Sequence, residues 1–102
     1  SSSTFDVYPN PFVVDSYNLV DGDGHVRFIF SGQDLSSSID IFDFSMDLVS
    51  SIKNPALIGD QIEFIWNGRN VYNQIVQNGI YFCRLNYNGN YKWVKLAVIK
   101  EG

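Results

Sequence analysis

Apolar and polar residues alternate with a period of two along several short stretches of this chain, and no stretch shows a convincing helical period of 3.6. His25 to Phe30 alternates through Val26, Phe28 and Phe30. Ser38 to Asp43 alternates through Ile39 and Ile41, and Gln61 to Trp66 through Ile62, Phe64 and Trp66. Successive side chains of an extended strand point to opposite faces, so each stretch predicts a strand with one buried face. Gly79 to Tyr87 and Tyr91 to Ile99 flank Asn88-Gly89-Asn90, a hairpin signal. On the last of these strands Val94, Leu96 and Val98 share the core face and Lys95 lies outside. Phe12-Val13-Val14 offers a short edge strand, and Met46 to Ile52 a shorter strand after the bend at Asp43 to Ser45. Turns are marked at Asp21-Gly22-Asp23-Gly24, Asn54-Pro55 and Gly59-Asp60, with a polar loop from Asn67 to Asn78. About seven short strands with such punctuation predict an all-β fold, an immunoglobulin-like antiparallel β-sandwich. A small open barrel is the alternative.

The supply of apolar side chains suits one core. Of 102 residues 45% are hydrophobic, and eight Phe, six Tyr and two Trp favour pleated, half-buried surfaces. No apolar run approaches the ~20 residues of a membrane-spanning helix. Net charge is −4 with seven scattered basic residues, which argues against nucleic acid as a partner. The opening Ser1-Ser2-Ser3-Thr4 reads as linker, so residues 1–7 are expected to be a linker remnant and residues 8–102 the folded domain.

Little in the chain points to catalysis. His25 is the one histidine and stands just after a glycine turn, so a Ser-His-Asp or Cys-His arrangement would have to use it. Cys83 lies in an apolar run and reads as a buried small hydrophobe, with no second cysteine to pair with. Asp21-Gly22-Asp23-Gly24 is similar to a calcium loop but lacks the closing Glu, so it reads as a tight turn. Asp40 and Asp43 are expected on opposite sides of their strand. No catalytic residue, metal ligand or cofactor is therefore expected, and the chain reads as a module with no enzymatic activity. Tyr87, Tyr91 and Trp93 gather at one hairpin, where they form either a cross-strand ladder or a stacking platform for sugars.

Three separated pieces together resemble the C-terminal sorting domain, type A, of the bacterial type IX secretion system. The first is Tyr8-Pro9-Asn10-Pro11-Phe12. The second is Val26 to Phe30 followed by Ser38 to Asp43, where that family ends a strand in an aromatic-Asp turn. The third is Trp66-Asn67-Gly68-Arg69-Asn70 to Val76, then Asn78-Gly79-Ile80-Tyr81-Phe82-Cys83-Arg84-Leu85. A closing strand ends in Lys100. The family usually has glycine where Met46 and Asn73 stand. Asn tolerates left-handed geometry, whereas Met does not, so the bend from Asp43 to Met46 is expected to depart from the family's form.

The resemblance implies a signal and not a catalyst. It implies a cargo domain preceding this one, export through the periplasm to the outer-membrane surface or the medium, recognition by the type IX translocon, and removal by a sortase-like protease. Its motif residues here are Tyr8, Pro9, Asn10, Pro11, Phe12, Trp66, Gly68, Gly79 and Tyr81. Recognition through the last strand would fall on Lys92, Val94, Lys95, Leu96, Val98 and Lys100. Unpaired edges of that strand invite strand addition by a partner, or weak self-association. The chain is also similar to the immunoglobulin-like domain of the flagellar hook-capping protein, with which it shares the strand pattern and the Trp-x-Gly loop. That likeness implies a structural module of a larger surface or flagellar protein, and the aromatic hairpin alone offers a further alternative, an accessory module that binds carbohydrate.

Overall fold

The structure, a computed structural model, describes residues 4–14, 19–20 and 23–100, with the backbone alone for 19–20 and 23–24. Among the described residues there are eleven strands and no helix. One sheet has the order β1 (Phe5–Tyr8), β5 (Val26–Ser31), β9 (Gln61–Trp66) and β8 (Ala56–Ile58). The other has the order β2 (Phe12–Val14), β11 (Asn90–Lys100), β10 (Gly79–Tyr87), β6 (Ser38–Phe42) and β7 (Leu48–Ile52). A two-residue pair, β3 (Leu19–Val20) and β4 (Asp23–Gly24), stands apart. Every pairing is antiparallel except β2 with β11, which is parallel.

The alternation read from the sequence is what closes the sandwich. Val26, Phe28 and Phe30 of β5 and Ile62, Phe64 and Trp66 of β9 turn inward from one sheet. Ile39 and Ile41 of β6, Tyr81, Cys83 and Leu85 of β10, and Leu96 and Val98 of β11 meet them from the other. Phe30 packs on Tyr87 across the gap, ring centroids 4.7 Å apart. Each fully buried Phe or Leu contributes roughly 1.5–3 kcal/mol through area removed from water. The β10–β11 hairpin turns on Asn88 and Gly89, with φ of 48° and 77°. Both central residues are left-handed, as a two-residue hairpin loop requires.

The strand inventory departs from the expected seven in four places, the β3–β4 pair among them. Phe5–Tyr8 pairs with Arg27 to Phe30, so residues 5–7 belong to the sheet and not to a linker. Phe5 and Val7 lean on the core while Asp6 and Tyr8 are exposed, an alternation of only four residues. β8 was hidden because Ala56, Leu57 and Ile58 are consecutive apolar residues, all exposed, with no alternation to read. The strand expected from Met46 begins at Leu48, because Asp43 to Asp47 closes a loop first. Of the Asp21–Gly24 turn, Asp21 and Gly22 lie outside the described residues, and Asp23–Gly24 is β4.

Candidate functional site

The Tyr8–Phe12 segment carries the chain from one sheet to the other. β1 ends at Tyr8 in the four-stranded sheet and β2 starts at Phe12 in the five-stranded one. The Tyr8–Pro9 and Asn10–Pro11 peptide bonds are both cis. Between the prolines, the Asn10 carboxamide faces the edge of β11. Its Nδ2 donates to the Lys95 carbonyl at 2.9 Å, and its Oδ1 accepts from the Ala97 N–H at 3.1 Å. A side-chain amide offers one donor and one acceptor, like a peptide unit, so Asn10 takes the place of a strand residue there. From Val98 to Lys100 β2 itself continues the edge, paired with Phe12 to Val14.

Phe12 anchors this crossing. It is fully buried, and its ring centroid lies 6.4 Å from that of Trp66, which in turn meets Tyr81 edge-on at 6.2 Å. Trp66 Nε1 donates to the Arg69 carbonyl, and Tyr81 Oη to the Gln77 carbonyl. A Cβ on Gly68 would stand 3.0 Å from the Phe12 ring, and Gly68 has φ of +78°, so both space and backbone call for glycine. Gly79 opens β10 opposite Val98 with φ of +155°. The structure thus joins Phe12, Trp66, Gly68 and Tyr81 in one buried cluster.

The last strand divides by parity. Leu96 and Val98 are buried and offer a partner no side-chain surface, and Val94 is half-buried against the core. Lys95 and Lys100 are exposed, and Lys92 is half-buried. The Lys100 N–H is held by Asn78 Oδ1. β11 is an inner strand, not an outer one, but its cover is incomplete. Asn10 and β2 protect its far side from Lys95 onward. Backbone groups repeat every second residue along a strand, so those of Tyr91 and Trp93 lie on the same side. Among the described residues no strand pairs with them there.

The outward row of β11, Tyr91 and Trp93 with Lys95, stands beside Arg84 of β10 and Asp40 of β6. Arg84 Nη2 meets Asp40 Oδ2 at 2.9 Å, and its guanidinium lies over the rings of Phe42, Tyr91 and Trp93 at 5.2, 5.7 and 5.7 Å. Burial pushes the Asp40 carboxyl up, but hydrogen bonds from Ser51, Arg84 and Asn86 and the Arg84 charge outweigh it and hold it below the usual range. Tyr87, grouped with Tyr91 and Trp93 in the sequence, turns inward onto Phe30 instead. Asp43 does not share this face as a partner of Asp40; it closes a loop.

That loop has a twin. In Asp43–Asp47 the Asp43 carboxylate accepts from the N–H groups of Ser45 and Asp47, Met46 N–H donates to the Asp43 carbonyl, and Asp43 N–H donates to the Asp47 carbonyl. In Asn70–Gln74 the Asn70 side chain accepts from Tyr72 and Gln74, and Asn73 and Asn70 repeat the two backbone bonds. The fourth residue is left-handed in both, Met46 at φ 66° and Asn73 at φ 64°. Contrary to expectation, Met46 therefore does adopt the left-handed geometry, and its bend matches that of Asn73. A bond from Val71 N–H to the Val49 carbonyl ties the second loop to β7, beside the first. They hold Phe44 and Tyr72 74% and 78% exposed, with Val71 and Leu48 exposed nearby. This apolar end escaped sequence reading; the Asn70/Asn73 spacing was the only signal for it, since Met46 gives none.

Cys83 is fully buried, and burial pushes its thiol up to about 12. Among the described residues no group of three or more His, Cys, Asp or Glu side chains is arranged to hold a metal ion.

No protein-family model matches the chain, and no curated protein matches it by sequence. Its fold is similar to segments of two solved structures from Porphyromonas gingivalis. PorZ, an essential bacterial surface component of the type IX secretion system, matches over 93% of this chain with a TM-score of 0.62 and 23% identity. Dimeric latent PorU matches over 99% with a TM-score of 0.61 and 24% identity. The chain spans 11% of the PorZ chain and 10% of the PorU chain. The shared feature is the β-sandwich.

Proposed function

We propose that this chain is a type IX sorting module: a folded, non-catalytic domain that follows a cargo domain, is docked by the outer-membrane translocon, and is removed by a sortase-like protease. The observation that carries this reading is the unit around β11. Of the segments that resemble the sorting family, Tyr8–Phe12 bonds the edge of the last strand through Asn10, Asn78–Leu85 pairs with it from Gly79 onward, and Trp66 packs between the two on Phe12 and Tyr81. The fold shared with a segment of PorZ supports the same reading. A partner of the folded domain has Lys95, Lys100 and the open backbone edge at Tyr91 and Trp93 within reach. Strand addition at such an edge uses main-chain bonds for affinity and flanking side chains for choice of partner.

The test is a fusion of residues 1–102 to a periplasmic reporter in a type IX-competent bacterium, with the reporter expected at the surface or in the medium. Deleting the last strand removes the middle of a sheet and so reports only on folding. A Lys95→Glu, Lys100→Glu variant leaves the core intact and is expected to lower export several-fold. Folded fusions that stay in the periplasm would overturn the proposal.

A further inference from the structure

On the outer face of the five-stranded sheet, Tyr91 and Trp93 expose 62% and 46% of their surface although both touch the Arg84 guanidinium. The Arg84 guanidinium lies over both rings and Trp93 also packs on Phe42, centroids 5.7 Å apart, so part of each ring is engaged and the rest is exposed. Tyr91 also borders a cleft of about 420 Å³, within the roughly 300–1,000 Å³ typical of small-molecule sites. Besides Tyr91 its walls are hydroxyl and carboxamide groups, chiefly Ser36, Ser38, Asn86, Asn88 and Asn90, and none of its lining side chains is charged. Several polar atoms there are unspent. Asn86 and Asn90 donate through Nδ2, and among the described residues their Oδ1 atoms and the Asn88 carboxamide have no hydrogen-bond partner.

From this we infer a carbohydrate-binding site, one that takes a neutral pyranose of an oligosaccharide. A pyranose presents one face of C–H groups, which suits the electron-rich face of an aromatic ring, and a rim of hydroxyls that both donate and accept. The cleft beside Tyr91 offers uncharged partners of both kinds to that rim. Stacked nucleobases would bring phosphates to a chain of net charge −4, and a lipid tail would meet amides where it needs apolar walls. Trp93 and Tyr91 supply the stacking surface, and Asn86, Asn88 and Asn90 select for hydroxyls. The site shares Tyr91 and Trp93 with the proposed docking edge, so sugar binding is measured on the isolated chain, apart from export.

The 102-residue chain is screened against an array of immobilised neutral and acidic oligosaccharides, and the neutral hits are titrated by calorimetry and tryptophan fluorescence. Binding of neutral sugars is expected, with Trp93→Ala weakening it about tenfold, the equivalent of ~1.4 kcal/mol. Trp93→Phe retains binding but loses the fluorescence response, because the other tryptophan, Trp66, is buried. Tyr72→Ala, at the opposite apolar loop, leaves binding unchanged. Thermal unfolding of each variant separates a lost site from a lost fold. An array with no neutral hit, binding confined to acidic sugars, or full binding by folded Trp93→Ala each overturns the assignment.

Discussion

Met46 occupies a backbone conformation that L-residues avoid by roughly 1–2 kcal/mol, and its loop is held there by two bonds to the Asp43 carboxylate. Met46→Gly is therefore expected to stabilise the domain by about 0.5–1 kcal/mol in urea unfolding, after the added freedom of the unfolded chain is subtracted. Gly68→Ala acts in the opposite direction. It places a methyl group against the Phe12 ring at a positive φ, and a loss of about 1–3 kcal/mol should appear in the same measurement. Asp40 gives the domain an acid-sensitive contribution. Its folded pKa lies below the unfolded value, so the stabilisation is present above about pH 4 and is lost as pH falls through the folded pKa. Arg84→Gln should flatten that part of the stability–pH curve. Cys83, with its thiol buried, should resist alkylation at neutral pH until the protein is unfolded. Of these residues, Cys83 and Gly68 were legible in the sequence, because an apolar run and an Asn-Gly turn speak for themselves. The role of Asn10 was not, since its partners Lys95 and Ala97 lie 85 and 87 residues away.

At the scale of elements, alternation located β5, β6, β9, β10 and β11 because each has one face in the core and one in solvent. It failed for β8, an edge strand exposed throughout, and for β1, where four residues are too few to establish a period. The terminal strand needed tertiary information as well: period two identified Leu96 and Val98 as inward, but not that β2 and Asn10 shield its far side. Asn10→Ala frees that side between Lys95 and Ala97 and should cost about 1 kcal/mol, with faster hydrogen exchange confined to the Ala97 amide and its neighbours. β8 carries the opposite risk. Leu57 and Ile58 are exposed on an outer strand, an arrangement that favours edge-to-edge pairing between molecules. Ile58→Lys should lower any concentration-dependent association seen by sedimentation and leave the unfolding midpoint nearly unchanged.

For the molecule as a whole, two sheets close on one core, and strands distant in sequence lie side by side. β2, near the start of the described chain, pairs with the end of β11, so the five-stranded sheet is not complete until nearly every residue is present. Folds dominated by such distant contacts assemble slowly and late. On a ribosome this has the character of a completion check. A chain that stops short of Val98 leaves β2 without its partner strand, and one that stops before β11 also leaves Asn10 without Lys95 and Ala97 and the core without Leu96 and Val98. A chain without β11 thus never displays the finished surface, and whatever reads that surface handles only molecules in which this domain is whole.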